Sequence, residues 1–361
     1  MAARSLTELG CETRGDKRRG VMLGGVNVQR HATIKRVARE ADDRTILPAF
    51  RRFPARTRVG PAFVGFPILC FVRTTPPKAL YSTCLRIGVC MAEILFDAHG
   101  TAFTDCGAGP AVLLIHGVGL SHHTWSTIVP LIADGRRVIA LDMLGHGSSP
   151  LPREGAMLDD YAAQAFQLLD HLGIGSCAVA GFSMGALVAQ QMALDQPSRV
   201  RELAAISGVH ARNPEERAAI RKRAREFAEK GLEPFIPGAL ERWLTPAFRQ
   251  AHPQVAADIA AALCANNLTG YLRSYQVFAF SDETLAPRAA AIRCPTLIIT
   301  GEHDSGSTAG MAHALGARIA GSQVVILSGL RHLLTTEAPE ILARHLDDFL
   351  DRNRPTGSIG C

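Results

Sequence analysis

A serine stands between two glycines in the segment Gly181-Phe182-Ser183-Met184-Gly185. An apolar run at residues 177–180 precedes it, and a run typical of a helix follows over residues 186–193. A G-x-S-x-G turn between a strand and a helix strains the backbone of its serine and exposes the hydroxyl above the end of the sheet. Glycines are expected on both sides, because a Cβ would collide where the strand and the helix come so close. We therefore predict that Ser183 is a nucleophile.

A serine hydroxyl needs a base to take its proton, and the base needs a carboxylate to orient it. In turns of this kind the order along the chain is serine, acid, histidine. Asp304 is the candidate acid, because it follows residues 294–301, a β-branched run typical of a buried parallel strand. Side chains just past the carboxyl end of such a strand face a site crevice. Asp142 is the alternative, but it precedes Ser183 and opens a glycine-rich turn, so we interpret it as structural.

The chain has thirteen histidines, and His332 is the candidate base. It lies in a loop after residues 323–327, a short apolar run that is predicted to be a strand. It also follows both Ser183 and Asp304, as the order of a triad requires. Most of the other histidines are expected to be surface or core residues.

Donors for a developing oxyanion are predicted in the segment His116-Gly117-Val118-Gly119. This segment follows residues 111–115, an unbroken apolar run. A glycine-rich turn leaves backbone N–H groups free to point at a negative charge. We predict that the N–H groups of Val118 and Met184 bind the oxyanion, and we interpret His116 as a brace for the loop.

Ser183, Asp304 and His332, in this order on alternating strands and helices, resemble the α/β-hydrolase fold family over about residues 91–351. The turn at residues 142–149 is also similar to that family. Within it, the chain resembles the 3-oxoadipate enol-lactone hydrolase and haloperoxidase-like esterase group. The resemblance implies an α/β fold with a mostly parallel eight-stranded sheet, flanking helices and a helical cap insertion. It also implies a serine hydrolase that acts on a small ester or lactone.

Substrate contacts are predicted from residues near the nucleophile and the base. Leu120, Trp125 and Phe182 lie close to the catalytic turns in sequence and are expected to line a pocket. Arg331 stands where many relatives have a small residue, and we hypothesise that it pairs with a substrate carboxylate. The loop at residues 305–308 also lacks the proline that relatives often have there.

The predicted domain organisation has four parts. Residues 91–209 and 291–351 form the hydrolase core, and residues 210–290 form a helical cap over the serine. Residues 352–361 form a tail. Residues 1–90 form a basic extension, with seventeen Lys and Arg against six Asp and Glu, whereas the remainder carries 22 basic and 27 acidic residues. We expect this extension to be disordered or untranslated, with Met91 as the start of the functional chain.

The composition of the chain and the absence of several motifs limit which cofactors and partners the sequence predicts. The apolar stretch at residues 61–72 is too short to cross a bilayer, so no membrane partner is predicted. Nine cysteines without a C-x-x-C pair indicate reduced thiols and a cytoplasmic protein. We find no dinucleotide fingerprint, P-loop or metal-ligand spacing, and therefore predict no cofactor and no metal. A nucleic-acid partner for the basic extension is the less favoured interpretation, and the sequence does not indicate an oligomeric state.

The sequence leaves several functions open. The favoured one is a cofactor-free serine hydrolase that cleaves an ester or (enol-)lactone through an acyl-enzyme. The same triad would serve a carbon–carbon bond hydrolase or a perhydrolase. A ligand-binding receptor on a hydrolase scaffold is the non-enzymatic alternative, and the intact triad argues against it.

Overall fold

The computed structural model describes residues 93–353. The predicted extension at residues 1–90, the expected start at Met91 and most of the predicted tail lie outside the described residues. Described residues 93–353 contain the segments predicted to carry the nucleophile, the acid and the base.

Eight strands form one sheet within this range. They are β1 (Leu95–Phe96), β2 (Ala102–Gly107), β3 (Ala111–Ile115), β4 (Arg137–Leu141), β5 (Cys177–Phe182), β6 (Val200–Ile206), β7 (Thr296–Gly301) and β8 (Gln323–Leu327). Their order across the sheet is β1-β2-β4-β3-β5-β6-β7-β8. β2 pairs antiparallel with β1 and β4, and the other neighbouring pairs are parallel. The predicted eight-stranded, mostly parallel sheet is confirmed.

Helices cover the sheet and fill the connections between its strands. Within the described range they are α1 (Val129–Ile132), α2 (Leu158–His171), α3 (Met184–Asp195), α4 (Pro214–Lys230), α5 (Ile236–Trp243), α6 (Pro246–Ala251), α7 (Pro253–Cys264), α8 (Leu268–Leu285), α9 (Ala309–Arg318), α10 (Leu334–Glu337) and α11 (Pro339–Arg352). Short 3₁₀ turns lie at His122–Trp125, Pro197–Arg199, Glu233–Phe235 and Ala286–Ala291.

The central strands are buried on both faces, because successive side chains of a strand point in opposite directions. Along β3, Leu113 and Ile115 belong to one apolar cluster, which also includes side chains of α2, α3 and α8. Val112 and Leu114 belong to the opposite cluster, which includes side chains of α1 and α11. Every residue of β3 is buried, which explains why its sequence is an unbroken apolar run.

Helices α4 to α8 lie between β6 and β7, in the stretch for which the sequence predicts a cap. α4 begins with a capping box, in which Asn213 Oδ1 accepts from the Glu216 N–H at 2.8 Å and Glu216 Oε2 accepts from the Asn213 N–H at 2.8 Å. α8 packs on α4 and on α3, the helix that follows Ser183. The inserted helices are thus fixed to the core next to the nucleophile.

Two global predictions can be compared with the described residues. None of the helices between residues 93 and 353 combines the length and the apolar character needed to cross a bilayer. Cys177, Cys264 and Cys294 carry free thiols, and the expectation of reduced thiols stays a prediction for the other cysteines.

Candidate active site

Ser183 stands at the turn between β5 and α3 with a strained backbone. Its φ is 56° and its ψ is −114°, a region that residues with a Cβ seldom adopt. The Ser183 N–H donates to the Ile206 carbonyl of β6 at 2.8 Å, which holds the turn on the sheet. This backbone is the one that a G-x-S-x-G elbow predicts.

The two glycines of the elbow are required by close backbone contacts. A Cβ at Gly181 would lie 2.0 Å from the Gly185 carbonyl oxygen, and a Cβ at Gly185 would lie 2.2 Å from the Ile115 carbonyl oxygen. Both distances are far inside van der Waals contact, and the clashing atoms are backbone atoms that cannot move aside. The serine can therefore take its place only because both flanking positions lack a side chain.

Asp304 and His332 meet in the loops that follow β7 and β8. Asp304 Oδ2 lies 2.6 Å from His332 Nδ1, and both side chains are buried. Asp304 Oδ1 accepts from the N–H groups of Gly306 and Ser307 at 2.8 and 2.9 Å. Because the carboxylate accepts the proton on Nδ1, the other ring nitrogen, Nε2, is left as the basic one. The pair has the arrangement that a general base and its orienting acid require.

The His332 ring is held from several sides. The Phe182 ring lies 5.0 Å from it between centroids, and the Trp243 ring lies 6.0 Å away. The backbone carbonyl of His332 accepts from the Ser207 hydroxyl at 3.0 Å. These contacts restrict the ring to the orientation in which it faces Asp304.

The two predicted oxyanion donors come from separate segments of the chain that meet near Ser183. Met184 is the first residue of α3, so its N–H has no partner within the helix. Val118 follows Gly117, where an added Cβ would lie 3.1 Å from Ser183 Cβ. Among residues 93–353 neither N–H finds a hydrogen-bond acceptor. Two unsatisfied donors beside a serine can stabilise a developing oxyanion.

One cavity of about 200 Å³ joins these groups. Ser183, Asp304, His332 and Val118 all border it, so the structure brings the predicted nucleophile, acid, base and one oxyanion residue together. The inserted helices close its other side. A cavity of this volume has room for a small molecule.

The four predicted substrate contacts lie elsewhere. Trp125 is fully buried in the apolar cluster under the sheet, and Phe182 packs behind His332. Leu120 borders a second cavity, of about 880 Å³. The Arg331 guanidinium donates to the backbone carbonyls of Glu241 and Leu244. The structure therefore does not bring any of these four side chains to the cavity of Ser183.

Sequence reasoning missed the side chains that do line the far wall of this cavity. They come mainly from the inserted helices: Arg212, Arg223, Arg242, Tyr271, Tyr275 and Phe278. A signal was present in α4, where Ile220, Arg223 and Phe227 recur at the spacing of one helical face. Ile220 and Phe227 are the buried residues of α4, so Arg223 lies on its inward face.

Burial and the polar partners shape the chemistry of the aromatic wall. Burial raises the pKa of Tyr271 and of Tyr275, and the charge of Arg223 acts against this shift at Tyr275. Both phenols therefore stay neutral and act as hydrogen-bonding groups near neutral pH. Among residues 93–353 no group of three His, Cys, Asp or Glu side chains could hold a metal ion.

A second buried histidine–aspartate pair lies below the site. Asp142 Oδ1 accepts from the His122 N–H at 2.7 Å and lies 2.8 Å from His122 Nδ1. His116 Nε2 accepts from the Met143 N–H at 2.9 Å, which ties the oxyanion loop to the same turn. These contacts agree with the structural roles predicted for Asp142 and His116.

A sequence model described as the alpha/beta hydrolase fold matches residues 110–339, more than half of the 361 residues. The chain belongs to the alpha/beta hydrolase fold family. This hydrolase is 30% identical over 251 residues to an (E)-2-((N-methylformamido)methylene)succinate hydrolase of Acinetobacter baylyi, covering 69% of its own chain and 93% of that relative. It is 28% identical to a 3-oxoadipate enol-lactonase of the same organism, covering 67% of its chain and 89% of the relative.

Solved structures agree with this family. The hydrolase is similar to a malate-bound thermophilic esterase of Thermogutta terrifontis, with a TM-score of 0.67, 25% identity, and coverage of 73% of this chain and 99% of that one. An enol-lactonase of Burkholderia xenovorans has the same fold, with a TM-score of 0.66, 24% identity, and coverage of 72% and 100%. The hydrolase therefore matches nearly the full length of these relatives and of these solved structures.

Proposed function

We propose that this protein is a cofactor-free serine hydrolase that cleaves a small carboxylic ester or lactone through an acyl-enzyme. The observation that carries the proposal is the shared cavity, which Ser183 borders on a strained elbow and His332 borders with its ring bonded to Asp304. Relatives named as an enol-lactonase and an esterase support the class of bond.

In the acylation step, Ser183 Oγ attacks the carbonyl carbon while His332 Nε2 takes the hydroxyl proton. The carbonyl oxygen becomes an oxyanion and is held by the N–H groups of Val118 and Met184. His332 then gives its proton to the leaving oxygen as the tetrahedral intermediate collapses. Asp304 stays ionised and stabilises the imidazolium that forms between these two transfers.

In the deacylation step, His332 takes a proton from water, which attacks the acyl-enzyme at the same carbonyl. The product is a carboxylic acid, and Ser183 recovers its proton from the imidazolium. Residues of the inserted helices line the cavity, and removal of bulk water from it would strengthen the charge interactions of the site.

A panel of small esters, lactones and enol-lactones tests the proposal. The wild-type protein should hydrolyse members of the panel, and Ser183→Ala should reduce kcat by at least 10⁵-fold, since removal of a triad serine costs about 10⁶-fold in a comparable enzyme. Thermal unfolding of Ser183→Ala should stay close to wild type, which separates lost chemistry from lost folding. Turnover of Ser183→Ala within tenfold of wild type would overturn the proposal.

A further inference from the structure

Two arginines from separate helices face the cavity that Ser183 and His332 share. Arg223 comes from α4 and Arg242 from α5, and both side chains are half-buried. A charged group that is partly removed from water is costly unless another group compensates it. What the cavity can bind therefore depends on whether a carboxylate of the protein already pairs with these two arginines.

A third arginine at this cavity, Arg212, forms a buried ion pair within the protein. Arg212 is 4% exposed and donates to Asp282 Oδ1 at 2.7 Å. Its own backbone N–H donates to Asp282 Oδ2 at 3.0 Å. Both carboxylate oxygens are thus used, and the charge of Arg212 is matched inside the protein.

Neither Arg223 nor Arg242 has such a partner in the part of the chain that the structure describes. No carboxylate in residues 93–353 forms an ion pair with either of them. The acidic groups of the cavity are already engaged, since Asp304 holds His332 and Glu216 caps the first turn of α4. Arg223 instead hydrogen-bonds the neutral Tyr275 hydroxyl. Within the described range, the charges of Arg223 and Arg242 are therefore not matched by a carboxylate at ion-pair distance, although the charge of Glu241 acts on Arg242 from farther away.

The two charges also lie close enough to repel each other. Burial lowers the pKa of Arg242, and the positive charge of Arg223 lowers it further. Like charges held together in a partly dry cavity are stabilised by an anion that reaches both. A planar guanidinium also matches the two oxygens of a carboxylate.

We propose that Arg223 and Arg242 together bind a carboxylate of the substrate, so that the hydrolase acts on esters or lactones of acidic molecules. This inference rests on the proposed function and adds the substrate class to it. It moves the predicted carboxylate contact from Arg331, whose guanidinium is held by backbone carbonyls, to the inserted helices. The arginines act in binding and specificity, whereas Ser183 and His332 perform the chemistry.

Two esters that differ by one group test this directly. In 4-nitrophenyl hemisuccinate a carboxylate replaces the terminal methyl of 4-nitrophenyl butyrate. Wild-type protein should prefer the hemisuccinate, after subtraction of the rate with Ser183→Ala. Arg223→Gln and Arg242→Gln should each lower the ratio of kcat/KM for the acidic over the neutral ester by about 10- to 100-fold, mostly through a higher KM for the acidic ester.

Arg225→Gln is the matched control, because Arg225 is an exposed arginine of the same helix and does not border the cavity. It should leave the ratio unchanged. Equal kcat/KM for the two esters in wild type, with ratios that neither cavity variant alters, would overturn the inference while leaving the proposed function intact.

Two further measurements cover variants that fail to fold and esters that are not hydrolysed. The first uses wild type alone: added sodium chloride should raise KM for the hemisuccinate but not for the butyrate, and equal changes would contradict the inference. The second is calorimetric titration of Ser183→Ala with succinate, and with succinamide as the uncharged control. Preferential binding of succinate supports the arginine site even if no ester is turned over, and no difference between the two contradicts it.

Discussion

Residues 93–353 contain two buried pairs of an aspartate and a histidine. His332 Nδ1 lies 2.6 Å from Asp304 Oδ2, and His122 Nδ1 lies 2.8 Å from Asp142 Oδ1. Both pairs combine an imidazole with a carboxylate at hydrogen-bonding distance. By the local geometry of the pair alone, either histidine could be a general base.

The surroundings separate the two pairs. The Asp304 pair opens onto a cavity that the strained Ser183 also borders. The Asp142 pair lies inside a closed turn, where the carboxylate also accepts from the Ser148 N–H at 3.0 Å and a Cβ at Gly147 would lie 1.9 Å from Asp142 Oδ2. A histidine–aspartate pair becomes a catalytic device only where a nucleophile and space for a substrate lie beside it.

The largest difference between the pairs should appear in activity. Asp304→Asn removes the charge that orients and stabilises the His332 ring. We expect kcat on a small ester to fall by about 10³- to 10⁴-fold, the size of loss seen when a triad carboxylate loses its charge elsewhere. Steady-state kinetics measure the effect, and a loss under tenfold would show that Asp304 is not the working acid.

The second prediction concerns stability and uses Asp142→Asn as the matched change at the other pair. Both carboxylate oxygens of Asp142 face donors. In asparagine an NH₂ group replaces one of these oxygens, so one buried N–H loses its acceptor. We expect the free energy of unfolding to fall by about 2–3 kcal/mol. Urea unfolding measures this loss. A kcat/KM reduced as much as that of Asp304→Asn, in protein that remains folded, would contradict the separation of the two roles.

The third prediction concerns the pH dependence of stability and also belongs to the Asp142 region. Burial lowers the pKa of His146 from 6.5 to about 3, so the folded protein keeps this ring neutral while the unfolded chain protonates it. Stability is therefore lost as the pH falls from about 6.5 towards 3, by up to about 1.4 kcal/mol per pH unit. His146→Asn should reduce that slope in acid unfolding experiments, and an unchanged slope would refute the assignment.

The ionisation of Asp142 makes stability depend on pH over a second, more acidic range. Burial opposes ionisation, but the side-chain hydrogen bond from His122 and the backbone N–H groups of His122 and Ser148 together lower the pKa of Asp142 to about 2. Because the folded pKa lies below the ordinary value of 3.8, its contribution to stability is present above about pH 4. It is lost as the pH falls from there towards 2.

Local patterns in the sequence predicted much of the fold. β3 and β8 have the predicted bounds, because each is an apolar run that ends where turn residues begin. α4 has boundary residues that are typical of a helix, with Asn213 and Pro214 at its start and Gly231 after its end. Ser183, Asp304 and His332 follow β5, β7 and β8. They lie at one edge of the sheet, because these strands are parallel and their carboxyl ends lie at the same edge.

The sequence alone did not predict the directions in which individual side chains point. Arg331 is next to His332 in the chain, yet its guanidinium turns away to α5. Trp125 is close to the oxyanion loop in sequence, but its 3₁₀ turn directs the ring into the core. Arg223 is one of several charged residues in α4, and its spacing from Ile220 and Phe227 places it on the inward face of that helix. Which of many arginines reaches the cavity depends on how α4 and α5 pack over the core.

Labelling with a fluorophosphonate probe shows whether Ser183 is a nucleophile activated by the His332–Asp304 pair. We expect one phosphonyl group per wild-type chain, attached to the peptide that contains Ser183, and none on Ser183→Ala. Labelling of His332→Gln should be much slower, because the hydroxyl then lacks its base. If the folded wild-type protein is not labelled, or if another residue is labelled at the same rate in Ser183→Ala, Ser183 is not the nucleophile, and a binding protein on a hydrolase scaffold is favoured.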